Sequence, residues 1–401
     1  MQAAQVSQQS TLNLILILIG NAILGAPMPL LIILGGLAGI MLAPSEGFAT
    51  LPASTQVLAG LFAAAPMSML MGRFGRKIGF SAAAGFVLLG GLMGAYAIGV
   101  GSFWMLCIAH IPLGAALVGF NYFRFAAAEV APPRFSSIAI SFALGAGLFA
   151  ALLGPEIFNR TKDLVEGVPF AGAYLSIVVI AMVGIVPVLL LRLEPVVSKK
   201  AVSKENRVQL SRVLRRRPVA IAILTGAISQ AVMVLIMTPT PLAMVGQGLM
   251  DTQASSVIKW HVIAMFAPSF LTGFVINRFG VNNVIGAGLI LLAASAAIAI
   301  SGMSLHHFYG ALILLGIGWN FGFIGATKLL ADSLAPTERS AVQGMNDTLI
   351  AFASTLAAFG SGAMLSAVSW TALCIFAVPL VLVGFAGLLI ARRTATGANS
   401  F

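Results

Sequence analysis

Ionisable and amide side chains are scarce in this 401-residue chain, and several lie inside long apolar runs. A charge in such a run is costly to hold in hydrocarbon, so it is normally paired or turned to a polar cavity. Asp347 is the most deeply placed acid. It is expected near Lys328, either as a static ion pair or as a proton or substrate site. A proton site would need that pair to break as the protein changes shape. Arg124 precedes Lys328 by 204 residues, and two equivalent cations would suit an anionic or carbonyl-rich solute. Alternatively each snorkels to the nearer interface. His110 could carry a proton near neutral pH, or stand as a neutral ring bonded to backbone.

Uncharged polar residues extend the set: Asn21, Asn121, Tyr122, Gln230, Asn320 and Asn346. Amides can orient a heterocycle in an otherwise apolar pocket; they can equally tie neighbouring helices together. Trp260 and His261 follow Lys259 and read either as a ligand-stacking cluster or as interface anchoring. No zinc spacing, phosphate loop or nucleophile elbow occurs, and Cys107 and Cys374 are far apart in apolar runs. No catalytic residue, metal or cofactor is expected.

The elements that must position these groups follow from composition. Hydrophobic residues make up 59% of the chain and charged ones 8%, against about a quarter charged in soluble domains. Apolar runs of bilayer-spanning length recur throughout. Twelve spans are expected, near 13–42, 52–72, 79–99, 103–129, 137–158, 169–192, 218–248, 253–276, 282–302, 308–332, 340–366 and 369–391. With both termini in the cytoplasm, seventeen of the twenty-two Lys and Arg residues fall in cytoplasmic segments. That asymmetry is the positive-inside pattern. The net charge of +11 therefore reports topology rather than nucleic-acid binding.

The second half repeats the first. Pro27-Met28-Pro29-Leu30 recurs as Pro239-Thr240-Pro241-Leu242, Arg73-Phe74-Gly75 as Arg278-Phe279-Gly280, and Ala131-Pro132 as Ala335-Pro336. The offsets are 212, 205 and 204 residues. The expected organisation is an N-terminal six-helix lobe (1–193), a basic cytoplasmic linker (194–217) and a C-terminal six-helix lobe (218–401).

Six plus six spans, a basic central loop and a duplicated basic turn resemble the major facilitator superfamily over the whole chain. That family's Gly-x-x-x-Asp/Asn-Arg-x-Gly turn is matched by Gly273, Asn277, Arg278 and Gly280. The first copy is degenerate: Ser68 and Gly72 stand at the Gly and Asp positions, while Arg73, Gly75, Arg76 and Lys77 remain. These turns are expected either as gates or as structural corners, the Arg bonding helix-end carbonyls or a neighbouring acid. His110, four before Gly114, stands where the family usually has Arg, and Gly154-Pro155 matches a pattern in its fifth helix. The segment Trp260 to Phe270 is similar to a proteobacterial branch associated with uptake of vitamins, riboflavin among them.

The resemblance implies an all-α integral membrane protein of two pseudo-symmetric lobes. It would work as a secondary active transporter of a small organic solute, with or without protons, in the bacterial inner membrane. Import of riboflavin or a similar vitamin is the specific expectation, and a monomer with no nucleic-acid partner the expected state. Proton-coupled efflux, or a non-transporting receptor or assembly factor on the same scaffold, are the alternatives.

Overall fold

The computed structural model describes residues 2–132, 135–193, 210–335 and 338–397, and all regular elements there are helical. The chain forms two compact units, Met1–Lys199 and Lys200–Phe401. Most of the expected linker, 194–209, lies outside the described residues.

The first unit contains α1 (Gln2–Gly25), α2 (Pro27–Leu42), a 3-10 turn (Glu46–Phe48), α3 (Leu51–Phe74), α4 (Arg76–Gly99), α5 (Phe103–Phe120), α6 (Phe123–Val130), α7 (Ser136–Thr161) and α8 (Ala171–Leu190). The second contains α9 (Leu210–Leu214), α10 (Arg217–Met237), α11 (Thr240–Gly246), α12 (Asp251–Phe266), α13 (Ser269–Phe279), α14 (Val281–Ser301), α15 (Leu305–Asp332), α16 (Arg339–Ala367) and α17 (Trp370–Gly397).

Proline explains several of the breaks. Pro27 and Pro29 start α2, and Pro239 and Pro241 flank the start of α11. Proline lacks the amide proton that would continue the ladder but suits the first turn of a new helix. Ser10–Leu42 and Arg217–Gly246 still run as single long spans, so these breaks are shallow. The break after Phe266 is sharper, with α12 and α13 bent by 43° at Ala267 and Pro268.

Ten helical segments among the described residues are long and apolar enough to cross a bilayer, or eleven with α12–α13 as one span. The sequence suggested twelve. The remaining expectation, 137–158, falls on α7, a 26-residue helix whose side chains are described only in part.

The two units share one packing scheme. In the first, α5 packs on α3 and α4, α8 on α4 and α1, and α7 on α1. In the second, α15 packs on α12 and α14, α17 on α14 and α10, and α16 on α10. Lipid tails are as apolar as leucine, so dispersion contacts and interhelical hydrogen bonds, rather than burial from water, hold such helices together. Close approach is therefore valuable. A Cβ on Gly114 of α5 would lie 2.0 Å from the Gln56 carbonyl oxygen of α3, and one on Gly288 of α14 2.4 Å from the Gly322 amide of α15.

Candidate solute-binding and gating residues

The turn between α3 and α4 is built on Gly75, whose φ of 90° and ψ of 162° exclude ordinary side chains, and Gly280 repeats it at φ 84° and ψ 147°. The duplicated motif is thus a duplicated backbone corner. In the first copy the basic residues divide the work. The Arg76 guanidinium donates to both carboxylate oxygens of Glu129 on α6, at 2.7 and 3.1 Å, and lies 5.4 Å over the Tyr122 ring. Lys77 donates to the Leu189 and Leu191 carbonyls at 2.6 and 3.1 Å, capping the end of α8. Arg73 is exposed and lies 5.2 Å over the neighbouring Phe74 ring. The acid missing at Gly72 is supplied from another helix. At the same end Asn13 exchanges hydrogen bonds with the backbone of Arg192, at 2.9 and 3.1 Å, and Ser10 donates to the Val130 carbonyl.

In the second unit Asn277 and Arg278 are exposed, Arg278 lying 5.8 Å from the Phe279 ring. Near this unit's other basic segment Arg216 pairs with Glu338, at 2.7 and 2.8 Å. Glu338 also accepts the Ala335 amide at 3.1 Å. Those hydrogen bonds, with the Arg216 guanidinium foremost, hold its carboxyl below the usual carboxylate range. The pair sits beside a small core of Val213, Val219, Ala222, Leu330, Leu334 and Val342.

His110 is fully buried and bonded to side chains rather than to backbone. Its Nδ1–H donates to Gln56 Oε1 of α3 at 3.0 Å, and the Tyr174 hydroxyl of α8 donates to Nε2 at 2.8 Å. The ring ties three helices. Thr55 reinforces the α3–α5 contact by donating to the Cys107 carbonyl at 3.1 Å.

Trp260 and His261 do not form one cluster. Trp260 is 48% exposed, while His261 is buried and donates to the Leu312 carbonyl of α15 at 2.7 Å. Neighbours along a helix point about 100° apart, and here that separates outside from inside. Lys259 is half-buried.

Asn320 is buried and fully engaged. Its oxygen accepts from Thr272 at 2.6 Å, and its nitrogen donates to the Met265 carbonyl at 2.6 Å and to Ser269 at 2.7 Å. These partners lie on both sides of the α12–α13 bend, so Asn320 fixes that bend. Asn21 donates to the Ala143 carbonyl at 2.7 Å, joining α1 to α7. Asn121 is exposed at the break between α5 and α6, Tyr122 is half-buried, and the half-buried Arg124 lies 4.8 Å over the Phe125 ring.

Lys328 pairs with Asp332 one turn along α15, at 2.5 and 2.6 Å. Both side chains are about half exposed. Asp347 is exposed on α16 and accepts from the buried Asn346 at 3.2 Å. The repeat-related cations Arg124 and Lys328 thus have unlike surroundings. Gln230 of α10 accepts the Trp319 indole proton at 2.7 Å. Trp319 stacks on Phe323, centroids 5.0 Å apart, and meets Phe266 edge-on at 6.2 Å.

Glu129, Glu338, Gln56, Tyr174 and Trp319 were not singled out from the sequence. Glu129 carried a signal: it is the sole acid in the span 103–129 and ends it beside the first basic turn's expected membrane face. Trp319 beside Asn320 in an apolar run was a second.

Comparison with known proteins agrees with this architecture. The sequence profile of the Major Facilitator Superfamily matches residues 247–400. The riboflavin transporter RfnT of Brucella anthropi is 36% identical over 371 residues, which span 92% of this chain and 93% of that protein. The uncharacterized MFS-type transporter YddS of Bacillus subtilis is 32% identical over 377 residues, 89% of this chain and 84% of its own. Among solved structures, a bacterial homologue of the human lysosomal transporter Spinster, inward-facing and unoccupied, superimposes with a TM-score of 0.69 at 13% identity, covering 96% of this chain and 97% of that one. A variant of the nucleoside transporter NupG gives 0.71 at 14% identity, covering 95% and 99%. At those identities the structural likeness concerns the fold alone. With relatives above 30% identity along nearly its whole length and a matching fold, this chain belongs to the Major Facilitator Superfamily of membrane transporters.

Proposed function

We propose that this transporter imports riboflavin or a closely similar vitamin across the bacterial inner membrane as a monomer, by alternating access. The observation that carries the reading is the 36% identity to a riboflavin transporter over 92% of the chain. Both termini lie in the cytoplasm, as the distribution of Lys and Arg supports. Among the residues singled out from the sequence, Asn121, Tyr122, Arg124, Gln230, Trp260, Lys328 and Asn346 are assigned to solute contact. Asn21, His261 and Asn320 act as helix ties, since their polar groups are engaged by other helices. Asp347 rather than His110 exchanges the driving proton, because Asp347 is exposed and both His110 nitrogens are held.

The test is uptake of labelled riboflavin by cells that can neither make nor import it, expressing this chain with and without a protonophore. Saturable uptake that the protonophore collapses is the expected result. Absence of uptake from cells with the protein in their membrane overturns the vitamin assignment. Asp347→Asn should abolish accumulation against a gradient while leaving solute binding within about threefold; unchanged accumulation removes Asp347 from the coupling step.

A further inference from the structure

The second unit carries an aromatic group that differs from core packing. In the first unit Phe80 and Phe123 stack at 3.9 Å and are fully buried, as expected of interior rings. Trp319, Phe323, Phe266 and Gln230 are each only half-buried, so each keeps an accessible face. Trp319 and Phe323 are one turn apart on α15 and stack on each other with planes within 14° of parallel, so a further ring could join only by extending the stack from an outer face. Phe266 meets Trp319 at 73° and walls one side.

The polar end of this surface is oriented. An indole N–H can only donate, so the Gln230 amide turns its oxygen to Trp319 at 2.7 Å and its NH2 group away. Amide donors facing hydrocarbon would be costly, so this face suits an occupant with acceptors rather than lipid tails.

We propose that Trp319, Phe323 and Gln230 form a binding platform for a planar heteroaromatic ring bearing carbonyl acceptors. The ring extends the α15 stack from its outer face, and a ring carbonyl accepts from the Gln230 amide. The platform deepens the import reading above and rests on it only for which vitamin carries the ring.

Two measurements separate the two. The first is riboflavin uptake by wild type, Trp319→Leu, Trp319→Phe and Gln230→Ala at matched membrane levels. The second is equilibrium dialysis of the purified full chain in detergent against lumichrome, the flavin tricycle without its ribityl chain. Saturable lumichrome binding is expected in wild type. Trp319→Leu should weaken it at least tenfold, Trp319→Phe less than threefold, and Gln230→Ala about fivefold. The KM for uptake should rise in the same order. Monodisperse elution of Trp319→Phe keeps the test valid should the leucine variant fold poorly. Riboflavin uptake with an unchanged KM in Trp319→Leu overturns the platform and leaves the function standing. Lumichrome binding lost in Trp319→Leu, without riboflavin uptake by wild type, upholds the platform and overturns the vitamin. No saturable lumichrome binding to wild type overturns the platform.

Discussion

Arg76 and His110 both make two strong polar contacts, yet they should differ in importance for stability. The Arg76–Glu129 pair is partly solvated, with side chains 23% and 52% exposed. Such pairs contribute about 0–1 kcal/mol, so Glu129→Gln should shift the melting temperature in detergent by only a few degrees. His110→Ala removes a fully buried ring and strands Gln56 and Tyr174. Cavity and lost hydrogen bonds together should cost about 2–5 kcal/mol, a large drop in the same melting experiment. A helix tie also predicts that a His110→Gln protein mature enough to reach the membrane retains its proton dependence. Glu338 adds a pH dependence. Its carboxyl is held below the ordinary range by Arg216 and the Ala335 amide. A carboxyl depressed in the folded state contributes fully above its unfolded pKa, and that contribution fades as pH falls through the folded value. Glu338→Gln should therefore narrow the difference between melting temperatures at about pH 7 and about pH 4; an unchanged difference would show the pair has no linkage to folding. The sequence identified which residue types were costly in hydrocarbon but not their partners. Glu129 lies 53 positions from Arg76, and that closeness exists only once α6 returns to the α3–α4 corner. Likewise His261 and Trp260 are adjacent in sequence, and only helix packing shows that one is buried and the other not.

Helix interruptions were legible as places, not as angles. The Pro-x-Pro repeats marked breaks in the first and seventh expected spans, and the structure has them at Ala26 and Pro239. Pro66 passes through α3 without ending it, whereas Pro268 accompanies a 43° bend. Proline removes the same donor in both places. Around Pro268 the buried Asn320 holds residues on both sides of the bend. Asn320→Ala should loosen the bend and lower the melting temperature. Small residues set the spacing of the other helices. At Gly114 an added Cβ would meet backbone at 2.0 Å, an atom that cannot rotate aside, whereas at Gly85 nothing lies within 4 Å. Gly114→Ala should force α3 from α5 and sharply reduce folded protein. Gly85→Ala should be neutral or stabilise by up to about 1 kcal/mol, because alanine is the better helix former. Equal effects of the two substitutions, measured by melting in the same detergent, would contradict this account of helix spacing.

The duplication was the most legible property of the chain, because its marks sit in turns where backbone geometry restricts the sequence. Gly75 and Gly280 share one left-handed conformation, and each unit then repeats the same order of helix contacts. Between those turns a bilayer accepts many apolar sequences, which is why the halves diverge elsewhere without losing the fold. The proposed orientation in the membrane rests on a different signal, the distribution of positive charge, and it can be tested with the native protein's own chemistry. Cys107 and Cys374 are buried, so both should react slowly with a membrane-impermeant maleimide and give little background. Asp163 is 71% exposed in the connection between α7 and α8, which positive-inside topology places outside. Arg215 is exposed just before α10, on the proposed cytoplasmic side. Asp163→Cys should label in intact cells, and Arg215→Cys only after the membrane is permeabilised. The reverse pattern would invert the whole topology. It would also place the Arg76–Glu129 and Arg216–Glu338 pairs outside, against the retention of basic residues in the cytoplasm.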